Sequence, residues 1–309
     1  MKESGDLRFL LILREHASLL SAARKMGLTP SAVSQRLQQI EKGLDVHLVD
    51  RSARQLRFTE EGELLCQQGL GVLQQYDALL DDVRARRGGM VGTLRINAPL
   101  GFGRRYIAAA AADYQQQHPE VDVVLTLSDQ PLTDMGDRFD VAIHIGALAL
   151  SNLVAYTIAP NARFVCAAPA LLKAHGTPEH PEQLADLPCL ALRENNEDVT
   201  LWHFSKGRTS RSIRVHPRLV CNDGDVIHQW AREGRGVILR SEWDVAADIA
   251  AGQLVRLLPG YKLADANVIA LTHARKGLPT RTRSFMQFLQ QRFQPLPPWR
   301  RPGAAESML

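Results

Sequence analysis

The sequence predicts an α/β protein built from two unlike parts joined by one long helix. Three observations predict it. Residues 1–60 read as short helices followed by a basic hairpin. Residues 60–87 carry no proline and keep helical spacing, until Gly88-Gly89 breaks the pattern. From Thr93 onward strand-like and helix-like segments alternate, the signature of an α/β domain with a largely parallel sheet.

A chain of 309 residues fits two domains plus connecting material. Net charge is only +4, so any strongly basic surface has to be local. No apolar run approaches the roughly 18 residues of a membrane helix. The start, Met1 to Asp6, places two acids before any apolar run and shows no secretory pattern, so a cytoplasmic protein is expected. Cys66, Cys166, Cys189 and Cys221 are scattered, with no Cys-x-x-Cys pair, which argues against a disulfide framework or a zinc site. No metal and no cofactor is expected.

The N-terminal part is the most informative. Ala23, Gly27 and Val33 stand at the spacing of a helix-turn-helix: a small residue for close approach, a glycine for the turn, an apolar plug between the helices. Thr29 suits the cap of the second helix and Pro30 its first position. Val33, Leu37 and Ile40 then share an inward face, leaving Ser31, Ser34, Gln35, Arg36 and Gln38 outward as donors and acceptors for base edges and phosphates. The following hairpin carries Arg51, Arg54 and Arg57, each placed to neutralise a phosphate. From Arg24 to Arg57 there are seven Lys/Arg against three Asp/Glu, so this region is basic although the chain is nearly neutral. A two-helix turn alone is equally consistent with protein contacts; the cap, the polar face and the basic wing together favour DNA.

The run from Ser21 to Gly62 closely resembles the N-terminal region of LysR-type transcriptional regulators, from helix-turn-helix through wing to linker helix. The resemblance implies base reading by Pro30, Ser31, Ser34 and Gln35 and backbone clamping by the three wing arginines. It also implies a homodimer or homotetramer on an interrupted palindromic duplex. In the linker helix, Leu65, Val72 and Leu79 repeat every seven residues, with Tyr76 and Val83 as a second seam that Gly69 interrupts.

The α/β part resembles the effector domain of the same family, two lobes of a periplasmic-binding-protein-like fold around a ligand cleft. The expected layout is 1–60 for DNA binding, 61–90 for the linker, 91–300 for the effector domain and 296–309 for a loose tail. The first lobe covers about 91–162 and 266–295 and the second about 163–265. Ligands in open α/β sheets collect at the carboxyl ends of strands, where helix N-termini favour anions. Leu100, Gly101 and Phe102, Ser128, His144, and Asn222 with Asp223 stand at such places. Asn222 or Asp223 is equally consistent with a helix cap, Gly101 with a tight turn, and His144 with a core histidine. Relatives commonly hold arginine where this chain has His144, so the usual guanidinium clamp is missing there. Segments such as GFGRRYIA, DVAIHIG and LRSEWDV are similar to regulators of tartrate and malate dissimilation, which implies a hydroxy-acid or dicarboxylate effector.

Two other function classes fit poorly. An enzyme is disfavoured by the lack of a phosphate-cradling G-x-x-x-x-G-K-S/T, a G-x-S-x-G elbow or an H-E-x-x-H helix. A transport-associated solute-binding protein would suit the C-terminal part but not the basic N-terminal one.

Overall fold

The computed structural model describes residues 4–50, 56–85, 90–129, 139–148, 153–193, 199–273 and 278–301. The chain divides into two compact units, the first taking in residues 1–89 and 274–280, the second residues 90–273 and 281–309.

The first unit contains α1 (Ser4–Arg14), α2 (Leu19–Met26), α3 (Pro30–Leu44), a two-stranded ribbon of β1 (Val49–Asp50) and β2 (Arg57–Phe58), and α4 (Glu60–Ala85). Leu10, Leu13, Ala22, Ala23, Val33, Leu37, Ile40 and Leu48 form its core, closed by Cys66 from α4. Gly69 of α4 lies against α1, with Leu7 Cδ2 2.6 Å from where a Cβ would stand. The gap that Gly69 leaves in the sequence pattern is therefore a helix crossing. Leu65 packs on the core. Val72, Tyr76, Leu79 and Val83 do not; all four are exposed and lie along one stripe of α4.

The second unit holds two lobes. The first is a five-stranded sheet in the order β4 (Val121–Leu127), β3 (Gly92–Ala98), β5 (Val141–Ile145), β14 (Val268–Thr272), β6 (Val154–Ala159). β3 runs parallel to β4 and β5, whereas β14 is antiparallel to both β5 and β6. The expected largely parallel sheet is thus corrected to a mixed one: the chain leaves after β6, builds the second lobe, and returns in the opposite direction as β14. Helix α5 (Leu100–Phe102) passes through a π-helical turn (Gly103–Ile107) into α6 (Ala108–Gln117). Tyr114 of α6 stacks edge-on against Phe285 of α10 (Thr280–Phe293), ring centres 5.1 Å apart.

The second lobe pairs β12 (Ile238–Ser241) and β13 (Val255–Leu257) with β7 (Arg163–Ala167), and β8 (Cys189–Leu192) with β11 (Pro217–Cys221). A hairpin, β9 (Leu201–Lys206) and β10 (Thr209–Arg214), and helices α7 (Pro169–His175), α8 (Gly224–Arg232) and α9 (Glu242–Ala250) complete it. Two chain crossings join the lobes, and buried Asn161 ties them together. Its Nδ2 donates to the Ala266 carbonyl at 2.7 Å, and its Oδ1 accepts from the Trp243 amide at 3.1 Å.

The expectation of a loose tail from residue 296 is corrected as far as Arg301. Trp299 is buried, its ring 5.3 Å from Tyr106 and 6.0 Å from Phe102, and Arg300 makes a two-pronged ion pair with Glu242. The prolines around it set a turn rather than a loose end. No helix among the described residues is long and apolar enough to cross a membrane.

Candidate functional site

Two places carry chemistry, one in each unit. In the first, Gly27 takes the left-handed conformation (φ 65°) and ends α2, its amide donating to the carbonyls of Ala23 and Arg24. Thr29 Oγ1 then caps α3, accepting from the Ala32 amide at 3.2 Å, with Ser31 Oγ 3.0 Å away and Pro30 in the first helical turn. Val33, Leu37 and Ile40 are buried. Thr29, Pro30, Ser31, Gln35 and Gln38 are exposed and Ser34 is half-buried, so α3 presents a polar face that makes no core contact.

Arg36 departs from the outward set. Its Nη2 lies 3.3 Å from Asp6 Oδ1, and its guanidinium sits 4.9 Å above the centre of the Phe9 ring, so it packs on α1. At 3.6 residues per turn Arg36 is only about 60° from Val33, close enough to the inward face for α1 to capture it. Arg57 on β2 is exposed; Arg51 and Arg54 lie outside the described residues. Sequence reasoning missed Glu41. It is buried, and its Oε1 accepts from the amides of Leu48 (2.8 Å) and Val49 (3.3 Å), fixing the start of the ribbon to the end of α3. An acid beside Ile40 on the inward face was the available signal.

In the second unit, the carboxyl ends of β3, β4, β5 and β6 lie on one edge, the edge where the chain crosses between lobes. Ser128, at the end of β4, donates its amide to the Ala98 carbonyl at 3.1 Å. His144 Nε2 lies 3.1 Å from the Ala147 carbonyl, folded onto the turn that follows β5. The segment 222–225 of the second lobe reaches this edge. Asn222 Nδ2 donates to Asp129 Oδ2 at 2.7 Å, and Arg104 of the π turn pairs with Asp223 and Asp225. Asp223 also caps α8 through its Oδ1, which accepts from the amides of Asp225 and Val226, so its capping role is realised. Burial would raise the Asp223 pKa, but those amide bonds and the Arg104 charge outweigh it and hold the carboxyl below its usual range.

The three positions at the start of α5 behave differently from one another. Phe102 is fully buried among Tyr106, Trp243, Phe293 and Trp299, so its side chain is core rather than ligand contact. Gly101 backs onto Trp243, whose Cη2 is 3.2 Å from where a Cβ would stand. Leu100 remains half-buried at the edge. Across the strand order, Ser128 and His144 are two strand positions apart, about 10 Å.

Next to the edge lies a buried charge network that the sequence did not reveal. Asp244 is fully buried on α9, 2.7 Å from Arg240 Nε and 3.3 Å from His228 Nδ1, with Arg105 Nη1 at 3.7 Å. His228 also bonds to Asp248, which Arg232 approaches to 3.6 Å. Burial alone would depress the imidazole pKa, yet the bonds and charges of Asp244 and Asp248 outweigh it and push it up to about 9. Burial would likewise raise Asp244, but Arg240 and His228 hold its carboxyl well below the usual carboxylate range. All four cysteines are free thiols, and burial pushes Cys166 and Cys189 up to about 12, which makes those two poor nucleophiles.

Residues 4–63 match the model of the bacterial regulatory helix-turn-helix protein, lysR family, and residues 87–294 match the LysR substrate binding domain. The chain is 33% identical over 289 residues to the transcriptional regulator DmlR of Escherichia coli K12, covering 94% of both chains. It is 35% identical over 266 residues to the transcriptional activator TtdR of Escherichia coli UTI89, covering 86% of both. Among solved structures, CrgA, a LysR-type regulator from Neisseria meningitidis, superposes with a TM-score of 0.58 at 26% identity, covering 94% of this chain and 99% of that one. The polar face of a capped α3, the two-lobed second unit and these matches lead to one conclusion: the chain belongs to the LysR family of transcriptional regulators, which bind DNA and carry an effector-binding domain.

Proposed function

We propose that this regulator reads an interrupted palindromic operator through the outward face of α3 and alters that binding when a small carboxylate, a hydroxy acid or dicarboxylate, enters the cleft of the second unit. The observation that carries the reading is the division of α3 into a buried apolar face and an exposed face of Ser31, Gln35 and Gln38 behind the Thr29–Pro30 cap, with Ser34 between. Thr29 and Pro30 set the angle at which the helix N-terminus meets the duplex. Arg57 and, by the sequence pattern, Arg51 and Arg54 hold the phosphate backbone. Arg36 serves the fold, not the base edges.

The exposed stripe Val72, Tyr76, Leu79 and Val83 on α4 supports pairing with a second copy, since no described residue of its own unit covers it. Two such dimers give the tetramer. On the effector side, the support is the edge built from the ends of β3–β6 together with the resemblance of this domain to regulators of tartrate and malate dissimilation. Ser128, His144, Asn222 and the backbone at Leu100 and Gly101 are the contacts proposed there.

The test uses duplexes enriched from a random pool by the native protein. Ser34→Ala and Gln35→Ala each reduce discrimination against a scrambled duplex by about 1–3 kcal/mol, the worth of one bidentate side chain–base pair. Arg57→Ala instead weakens binding to both duplexes and shallows the log–log salt slope by about 0.9. Full discrimination in the α3 variants, measured by anisotropy titration, would show that another surface reads the bases.

A further inference from the structure

We propose that Arg163, the first residue of β7, is the cation that receives the effector's carboxylate. The proposal rests on the reading that a carboxylate binds in the cleft, and it supplies what His144 lacks, a permanent positive charge with two parallel donors.

Four observations converge on Arg163. It stands where the chain crosses from the first lobe to the second, at the edge formed by the carboxyl ends of β5 and β6. Its Nη2 lies 3.2 Å from where a Cβ on Gly146 would be, so the guanidinium rests against the 144–147 turn, the same turn onto which His144 folds. Gly146 has φ 103°, a conformation that side chains avoid, and the glycine keeps the approach open. Arg163 is only half-buried, and among the described residues its side chain has neither a hydrogen-bond nor an ion-pair partner.

That last point sets Arg163 apart from the other arginines at the cleft. Arg104 is taken up by Asp223 and Asp225, and Arg105 by Asp244 and the carbonyls of the α9 start. The carboxylate that accepts from the neighbouring Ala162 amide, Glu242, is itself held by both prongs of Arg300. A half-buried arginine without a counter-ion costs solvation free energy that an incoming carboxylate restores.

Tartrate and D-malate serve as probes, titrated calorimetrically into the full-length protein alongside the diamide of tartrate, which lacks the charge. The native protein binds at least one acid more tightly than the diamide. Arg163→Ala and Arg163→Gln weaken that acid by roughly 10- to 100-fold, the range of a charge-assisted bond, and leave the diamide unchanged. Both variants keep the ligand-free melting temperature of the native chain, because the Arg163 side chain bonds to nothing that its removal would orphan. Equal acid affinity in native and variant proteins removes Arg163 from the site and leaves the carboxylate reading standing. A drop in ligand-free melting temperature in both variants makes Arg163 structural and overturns the proposal. If neither acid binds the native protein, the carboxylate reading falls, and the role given to Arg163 falls with it.

Discussion

Asp244→Asn is expected to lower the unfolding free energy by about 3–5 kcal/mol, the range for breaking a buried ion pair from one side. Arg240, Arg105 and His228 converge on this one carboxylate, and Arg240 is itself buried, so the variant removes the negative charge that three cations share at a buried site. The same network sets a pH dependence. His228 has its pKa raised from 6.5 to about 9 in the folded chain, so its contribution is fully present below pH 6.5 and is lost as pH rises through 9. The raised value corresponds to a stabilisation of about 3 kcal/mol. Urea unfolding of the full-length protein followed by circular dichroism, at fixed protein concentration from pH 6 to 10, reads both effects. His228→Gln flattens the alkaline limb; a native protein equally stable at pH 6 and pH 10 would mean the imidazole is not charged in the fold.

Trp299→Ala has an expected cost of about 3–5 kcal/mol, typical of a large aromatic truncated in a packed site. Its ring meets Phe102, Tyr106 and Phe293, and the first two in turn meet Trp243 of the second lobe, so the loss is felt across both lobes. Arg300→Ala costs much less, about 1 kcal/mol or below, since its ion pair with Glu242 is partly exposed. The same unfolding measurement ranks the two. A Trp299→Ala protein as stable as the native chain would return residues 296–301 to the status of a loose tail.

What the sequence revealed and what it hid follow from how far apart the determinants lie. The cap at Thr29, the turn at Gly27 and the inward face of Val33, Leu37 and Ile40 depend on neighbours within one or two helical turns, and the structure keeps all of them. Arg36 depends on Asp6 and Phe9 about thirty positions away, and no local pattern announces that. The long apolar strands β4, β5, β7 and β14 were legible. The hairpin β9–β10 was not, because one of its faces is Leu201, His203, Ser205, Ser210, Ser212 and Arg214, and on the other only Trp202, Phe204 and Ile213 among Lys, Thr and Arg meet the core. At the cleft, topology brought the predicted strand ends to one edge. The partners of Asn222 and Asp223, Asp129 and Arg104, come from elements of the other lobe about a hundred positions away, so their pairing is a property of the fold and not of any stretch of sequence.

The most direct measurement is sequencing of the genomic fragments that the native full-length protein retains at physiological salt. A dimer reading DNA through α3 predicts a small set of fragments sharing an inverted repeat, with half-sites one helical turn or a multiple of it apart, about 10–10.5 base pairs per turn. Retention of fragments in proportion to their abundance, with no shared sequence, would contradict the account.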